Sequence, residues 1–328
     1  MNELNDNYFI SGASGFIGSS VAEYLASKGE KYSGISRISS KNINISICDL
    51  SEIDRIKKLL EQKTCVIHCA GYAHDFKAPS SKVKNETWQT NYEGTKNLIQ
   101  AAAFSGVTKF INLSSVKVYG DVGEEEVGET HITSPISEYA KSKLAAENFI
   151  IDYGRKHSMH VVNLRLSMVY GKGAKGNLSR MRSMIEKKLF PPPPETNNKK
   201  SLVYIDDVVN AIFEVTNNSK ASLETFNITS PVKTSTRNLY NLLRESLGLK
   251  SIKFEFSNSI LVFFAKILDN MQIILKTNFS YNSDVLEKLM GNENYSSEKI
   301  RKTIGWSSKT NLKDGLSLTY SKHRYPNE

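Results

Sequence analysis

A strand that runs into closely spaced glycines and resumes as a helix leaves a chain few folds to choose from. Here that stretch is "NYFISGASGFIGSS", residues 7–20, with Gly12, Gly15 and Gly18 in a Gly-x-x-Gly-x-x-Gly spacing. Missing side chains let the backbone turn tightly and let a dinucleotide pyrophosphate approach the helix N-terminus, whose free N–H groups favour anions. Glycine spacing alone is weak; its place after a first strand and before a first helix makes it a nucleotide-binding signature.

The first half of the chain continues in the rhythm this start predicts. "KYSGIS", "KTCVIHCA", "KFINLSS" and "HVVNLRLSMVY" read as buried strands. Helical stretches are expected at 16–28 and near 52–61, 86–105 and 137–156. Strands that are apolar almost throughout, alternating with helices, predict a doubly wound parallel α/β sheet of the Rossmann type. After residue 171 the rhythm loosens, and "FPPPPETNNKKS" (190–201) cannot be helix. "SLVYIDDVVNAIFEV" and "ETFNITS" read as strand and helix pieces returning to the sheet. The expected division is a dinucleotide-binding domain over 1–170 with returning pieces near 202–230, and a discontinuous, smaller C-terminal substrate lobe over 171–201 and 231–328.

Composition bounds the function. The 328 residues are 39% apolar and 23% charged, ordinary for a soluble globular protein with a full core. A net charge of +9 could serve nucleic acid, an anionic membrane or a phosphorylated substrate, but the cations are dispersed, which argues against nucleic acid. Cys48, Cys65 and Cys69 form no Cys-x-x-Cys and read as reduced thiols of a cytoplasmic protein. No signal peptide is visible at the start, and no run reaches a membrane-spanning length. "SILVFFAKILDNMQIIL" (259–275), interrupted by Lys266, Asp269 and Asn270, reads as a core helix of the second lobe or as a helix making weak contact with the inner membrane surface.

Four Tyr-x-x-x-Lys pairs occur: Tyr24/Lys28, Tyr92/Lys96, Tyr139/Lys143 and Tyr295/Lys299. A tyrosine beside a cationic lysine is a usable acid–base group near neutral pH. Only Tyr139/Lys143 follows a serine pair, in "SSVKVYG", at the carboxyl end of a strand, where parallel sheets bind ligands. "SPISEYAKSK" then opens a helix, with Ser134 expected as its N-cap and Pro135 in its first turn. On that helix Tyr139 and Lys143 lie one turn apart on one face.

With these motifs the chain resembles the extended short-chain dehydrogenase/reductases, the family of sugar-nucleotide epimerases, dehydratases and reductases. "GASGFIG", "VIHCAG", "NYEGT", "SSVKVYG", "YAKSK", "LRLSMVYG" and "SLVYIDDVV" carry the resemblance, in order, over nearly the whole length. It implies that Ser115 is the catalytic hydroxyl, with Ser114 structural, that Tyr139 is the acid/base, and that Lys143 holds the nicotinamide ribose and lowers the tyrosine pKa. It implies that Gly12, Gly15, Phe16, Ile17 and Gly18 line the pyrophosphate, that Ala70 and Gly71 lie against the cofactor, and that Asn91 supports the site. Arg165, Tyr170 and Gly171 stand where the family turns towards its substrate lobe; Leu166 replaces the usual proline there. A homodimer through the helices near 86–105 and 137–156 is implied by resemblance only.

The second strand ends in Ser36 and Arg37, without the carboxylate that an NAD-selective site uses on the ribose 2′-hydroxyl. NADP(H) is therefore favoured and NAD(H) remains open, with Asp49 and Leu50 placed for the adenine. Dehydratases of the family carry Asp-Glu after the catalytic hydroxyl; Val116-Lys117 stands here, which argues against dehydration. Two reactions at C4 of a nucleotide-diphosphate hexose remain, 4-keto reduction and 4-epimerisation. The missing acid, and a likeness of "FPPPPETNNKKSLVYIDD" and the C-terminal apolar stretch to O-antigen and capsule enzymes, tilt the reading towards reduction. For the substrate, Asn177, Lys200 and Lys117 are the candidate contacts, Lys200 where relatives often have arginine and Arg180 or Arg182 as compensating cations. His68 reads as a core residue and His74 as a residue near the substrate; no metal is proposed. A protein that binds NADP(H) without catalysis, as a redox sensor, is the competing class, and the retained Ser115, Tyr139 and Lys143 argue against it.

Overall fold

A computed structural model describes residues 6–40, 42–72, 81–254 and 289–320. Seven parallel strands form the main sheet: β1 (Tyr8–Ser11), β2 (Tyr32–Ser36), β3 (Ile45–Ile47), β4 (Cys65–His68), β5 (Lys109–Ser115), β6 (His160–Leu166) and β9 (Glu224–Ile228). Their spatial order is β3-β2-β1-β4-β5-β6-β9, so the order reverses between β1 and β4 and opens a crevice at their carboxyl ends. The Gly12 turn leaves β1 there, and Ala70 follows β4 there.

Successive strand residues face opposite sides of the sheet, and both sides are covered. Tyr8, Ile10, Cys65, Ile67, Ile111, Val162 and Leu164 pack into one core with α1 (Phe16–Ser27) and α7 (Ile205–Thr216). Phe9, Val66, Phe110 and Val161 pack into the other, with residues of α2 (Ile53–Leu59), α4 (Gly94–Phe104) and α5 (Glu138–Lys156). This two-sided burial is why the strands are apolar throughout rather than alternating. Each fully buried aliphatic side chain contributes about 1.5–3 kcal/mol.

Three local expectations need correction. The apolar run "HVVNLRLSMVY" is two strands: β6 ends at Leu166, and β7 (Met168–Tyr170) leaves to pair with β8 (Leu202–Tyr204) in a separate two-stranded parallel sheet. Both halves are buried, so hydrophobicity does not mark the break; Ser167 marks it by bonding backbone and hydroxyl to the Ile228 carbonyl, each at 3.1 Å. The expected helix over 86–105 is α3 (Ser81–Trp88), a π-helical turn Gln89–Glu93, and α4. The helix carrying Tyr139 begins at Glu138, not near Ser134: the Ser137 hydroxyl accepts from the Ala140 N–H and caps it. Residues 134–136 have no regular structure, and Pro135 disfavours a helical Ser134.

The remaining described elements are α6 (Asn177–Glu186), a 3₁₀ turn Ser219–Ala221, α8 (Thr236–Ser246) and two helices, Glu298–Ile304 and Leu312–Tyr320. No helix among the described residues is long and apolar enough to cross a membrane. The stretch 259–275 and His74 lie outside the described residues.

Candidate active site

The glycine turn is held by contacts that leave no room for side chains. Gly12 has φ +69°, and a Cβ on it would meet the Ala70 backbone at 2.7 Å; a Cβ on Gly18 would meet the Gly12 carbonyl oxygen at 2.2 Å. Helix α1 starts at Phe16 with no side-chain cap, so its first N–H groups face the crevice unpaired by any side chain. Ile17 packs on the core and Phe16 lies beside the Tyr170–Gly171 turn.

Across the crevice, Asn91, Gly71 and Lys143 converge. Asn91 is fully buried in the π-helical turn. Its Oδ1 accepts from the Tyr72 N–H at 2.7 Å, and its Nδ2 donates to the Tyr72 carbonyl and to Ser142 Oγ, each at 3.1 Å. It thereby ties the turn after β4 to α5. A Cβ on Gly71 would lie 3.1 Å from Lys143 Nζ and 3.4 Å from Asn91 Oδ1, so the missing side chain keeps the lysine end clear.

Lys143 is 5% exposed and its ammonium donates to the Leu113 carbonyl at 2.9 Å. Burial pulls its pKa down to about 8, with Glu147 and Cys69 opposing that drop. Tyr139 stands one turn earlier on the same helix, half-buried. Helix α5 packs against β5 and the 3₁₀ turn Val116–Tyr119. Ser115 ends β5 and caps that turn, its Oγ accepting from the Lys117 N–H at 3.2 Å. Ser114 faces the other way, buried, and its hydroxyl has no partner among the described residues.

A buried network braces this edge. Arg165 clasps Glu147 through Nε at 3.1 Å and Nη2 at 2.7 Å, and donates from Nη1 to Tyr119 Oη at 2.8 Å. Tyr119 in turn donates to Asn227 Oδ1 at 2.9 Å. Arg165 is thus a tie between α5, β6 and β9.

The other tyrosine–lysine pairs are engaged elsewhere. Tyr24 stacks on Phe213; Lys96 pairs with Glu93; Tyr295 stacks on Tyr119 and Lys299 pairs with Glu224. His68 is a core residue: its ring nitrogens meet Ser11 Oγ at 2.5 Å and Thr95 Oγ1 at 2.7 Å, and burial pushes its pKa to about 3, so it stays neutral. Cys48, Cys65 and Cys69 are free thiols. No group of three metal-ligating side chains occurs among the described residues.

At the end of β2, Ser36 Oγ lies 2.5 Å from Ser14 Oγ, joining the strand to the glycine turn, and Arg37 is exposed. Asp49 accepts from the Ser51 N–H and hydroxyl; burial opposes its ionisation, but those bonds and the Arg37 charge hold its carboxyl below the usual range. Leu50 is buried and its carbonyl accepts from Asn97 Nδ2 at 3.2 Å. The uncapped helix, the glycine cradle and the clear end of Lys143 fit a nicotinamide dinucleotide.

The candidate substrate contacts divide. Asn177 is exposed at the first position of α6. Arg182 pairs with Glu186 at 3.6 Å and lies over the Tyr320 ring. Lys117 and Lys200 come together on a residue that sequence reasoning missed: Glu293, whose Oε1 is 2.5 Å from Lys117 Nζ and whose Oε2 is 3.8 Å from Lys200 Nζ. Nothing local signals it, since 176 residues separate Glu293 from Lys117.

The model of the NAD dependent epimerase/dehydratase family matches residues 8–229. The chain belongs to that family. This enzyme is similar to a UDP-glucose 4-epimerase of Vibrio cholerae, 26% identical over 97% of this chain and 95% of that protein. It is also similar to the N-acetyl-alpha-D-glucosaminyl-diphospho-ditrans,octacis-undecaprenol 4-epimerase of Escherichia coli O157:H7, 23% identical over 96% and 95%. The solved UDP-glucose 4-epimerase of Thermotoga maritima shares the fold, with TM-score 0.75 and 23% identity over 96% of this chain and 97% of that one.

Proposed function

We propose that the enzyme is a 4-epimerase of a UDP-linked hexose or N-acetylhexosamine, working with a nicotinamide cofactor that each turnover regenerates. The near full-length match to the V. cholerae 4-epimerase carries this reading, and it outweighs the tilt towards reduction drawn from the sequence. When bound, the cofactor supplies hydride acceptance and return at the sugar C4.

The chain's own residues do the rest. Ser115 Oγ, at the end of β5, hydrogen-bonds the sugar O4. Tyr139 Oη takes the O4 proton as C4 is oxidised and gives a proton back to O4 when the turned 4-keto sugar is reduced on its other face. The Lys143 ammonium favours the phenolate by its charge and holds the ribose. Asn91 fixes the turn at Gly71 and Tyr72 against α5. Gly12, Gly15, Phe16, Ile17 and Gly18 cradle the pyrophosphate at the start of α1, with Ala70 and Gly71 against the cofactor and Asp49 and Leu50 near its adenine. Val116-Lys117 offers no acid–base pair for dehydration.

A 4-ketoreductase is the second reading, favoured by one observation: the end of β2 carries Ser36 and Arg37 and no carboxylate, which suits an exchangeable NADP(H). One measurement separates the two. Purified protein is denatured without added cofactor, and released NAD(H) and NADP(H) are counted per chain. Near-stoichiometric NAD⁺ supports the epimerase; an empty site that then binds NADPH overturns it in favour of the reductase. A Tyr139→Phe variant that binds cofactor but loses turnover excludes the non-catalytic sensor.

A further inference from the structure

The two lysines that the sequence offers as substrate contacts already hold an anion of the chain's own. Lys200 is 4% exposed, at the N-terminal edge of β8, and Lys117 sits two residues beyond Ser115. Glu293 reaches both, with one carboxylate oxygen on each. Burial works against ionisation of Glu293, but Lys117 and Lys200 together hold its carboxyl below the ordinary range, so it is charged. A carboxylate on both ammonium groups competes with any phosphate oxygen for them, and it offsets one of their two positive charges.

The segment that carries Glu293 is pinned by its backbone, through an isolated bridge to Lys200. The Glu293 N–H donates to the Lys199 carbonyl and its carbonyl accepts from the Ser201 N–H, each at 2.8 Å; the Asn294 carbonyl accepts from the Val127 N–H at 2.9 Å. Yet the Asn294 side chain, 1% exposed, leaves both its oxygen and its nitrogen without a partner among the described residues. A buried amide satisfied at neither end is costly.

We propose that Glu293 is a built-in counter-anion: it occupies the lysine pair in the free enzyme and must give up Lys117, Lys200 or both for a nucleoside diphosphate to bind. This rests on the sugar-nucleotide reading above. The carboxylate lowers affinity for the diphosphate and so eases product release, and it keeps two crowded ammonium groups in place between turnovers. Removing its charge strengthens diphosphate binding, whereas a purely structural clasp would weaken binding when broken.

The test is calorimetric titration of the holoenzyme and its Glu293→Gln variant with UDP, and with uridine as the phosphate-free control. UDP should bind the variant about tenfold more tightly, since one like charge is lost within a few ångströms of the phosphates, while uridine affinity stays unchanged. Equal or weaker UDP binding by Glu293→Gln overturns the inference while leaving the sugar-nucleotide reading intact. If neither protein binds UDP, the sugar-nucleotide reading itself fails and the inference with it. Glu293→Asp, which withdraws the carboxylate by one methylene, gives the same test should the glutamine variant misfold: a smaller gain is expected, and no gain overturns the inference.

Discussion

Replacing Lys143 by methionine should abolish turnover and yet stabilise the folded protein. The ammonium is buried and makes one hydrogen bond, to the Leu113 carbonyl. Its pKa falls from the ordinary 10.5 to about 8 because burial penalises the charge more than Glu147 and Cys69 support it. At ~1.4 kcal/mol per tenfold change, that corresponds to ~3 kcal/mol of cost carried by the native state at pH 7. Lys143→Met removes it but strands the Leu113 carbonyl, which costs about 1 kcal/mol. A net gain of ~2 kcal/mol remains, roughly 2–5 °C in melting temperature.

The sign of the pH dependence is fixed by the same shift. Between about 8 and 10.5 the unfolded chain keeps the Lys143 proton that the native state has lost, so wild-type stability rises with pH relative to the variant. The variant's advantage should be complete at pH 7, shrink above pH 8, reach zero at about pH 9.5 and reverse to a deficit of ~1 kcal/mol by about 10.5, where the wild type no longer carries the buried charge and the variant still lacks a partner for the Leu113 carbonyl. Thermal melts of nucleotide-stripped wild type and Lys143→Met at pH 7, 8.5 and 10 measure it. A variant less stable at pH 7, or a gap that ignores pH, would refute this account of the lysine.

Gly18→Ala puts a methyl against the Gly12 carbonyl oxygen, 2.2 Å away, and must push the glycine turn outward; we expect a loss of about 1–3 kcal/mol in stability and at least ~10-fold weaker cofactor binding, read by melting and by fluorescence titration. Arg165→Met leaves Glu147, 2% exposed, without its counter-charge, so unfolding should cost about 3–5 kcal/mol less. Adding Glu147→Met to that variant should recover most of the loss, and failure to recover would show that the pair is not what stabilises this edge.

The cofactor half was legible in the sequence because its signals are local and redundant. The Gly12–Gly18 spacing, the two-sided apolar strands and the Tyr139/Lys143 turn each carry their own pattern. Where one pattern fits two structures, legibility ends. Ser134 and Ser137 both offer cap chemistry, and Pro135, which disfavours a helical Ser134, tips the choice to Ser137. The run through Leu166 and Met168 is apolar in either sheet, so nothing in it announces that β7 departs. β3 was missed because three residues in a polar setting, half exposed, make no run at all. Glu293 was invisible for a different reason: a carboxylate that finds its lysines only through the fold leaves no mark on the residues around it. Lys117 and Lys200 stand out in the sequence as candidate substrate cations, but not as cations that share a carboxylate.

The placing of β9 has a consequence for how the chain is made. The last strand of the cofactor sheet is encoded beyond β7, α6, β8 and α7, and its Glu224 pairs with Val162 of β6. During synthesis β6 leaves the ribosome with one edge bare, and the strand that covers it follows only after the intervening elements have been translated, several seconds later at roughly 5–20 residues per second. For that interval an apolar, hydrogen-bond-hungry edge is open to whatever strand comes near. Chaperone demand and aggregation during expression should therefore be set by this waiting time, and a circular permutant that brings β9 out beside β6 would shorten it.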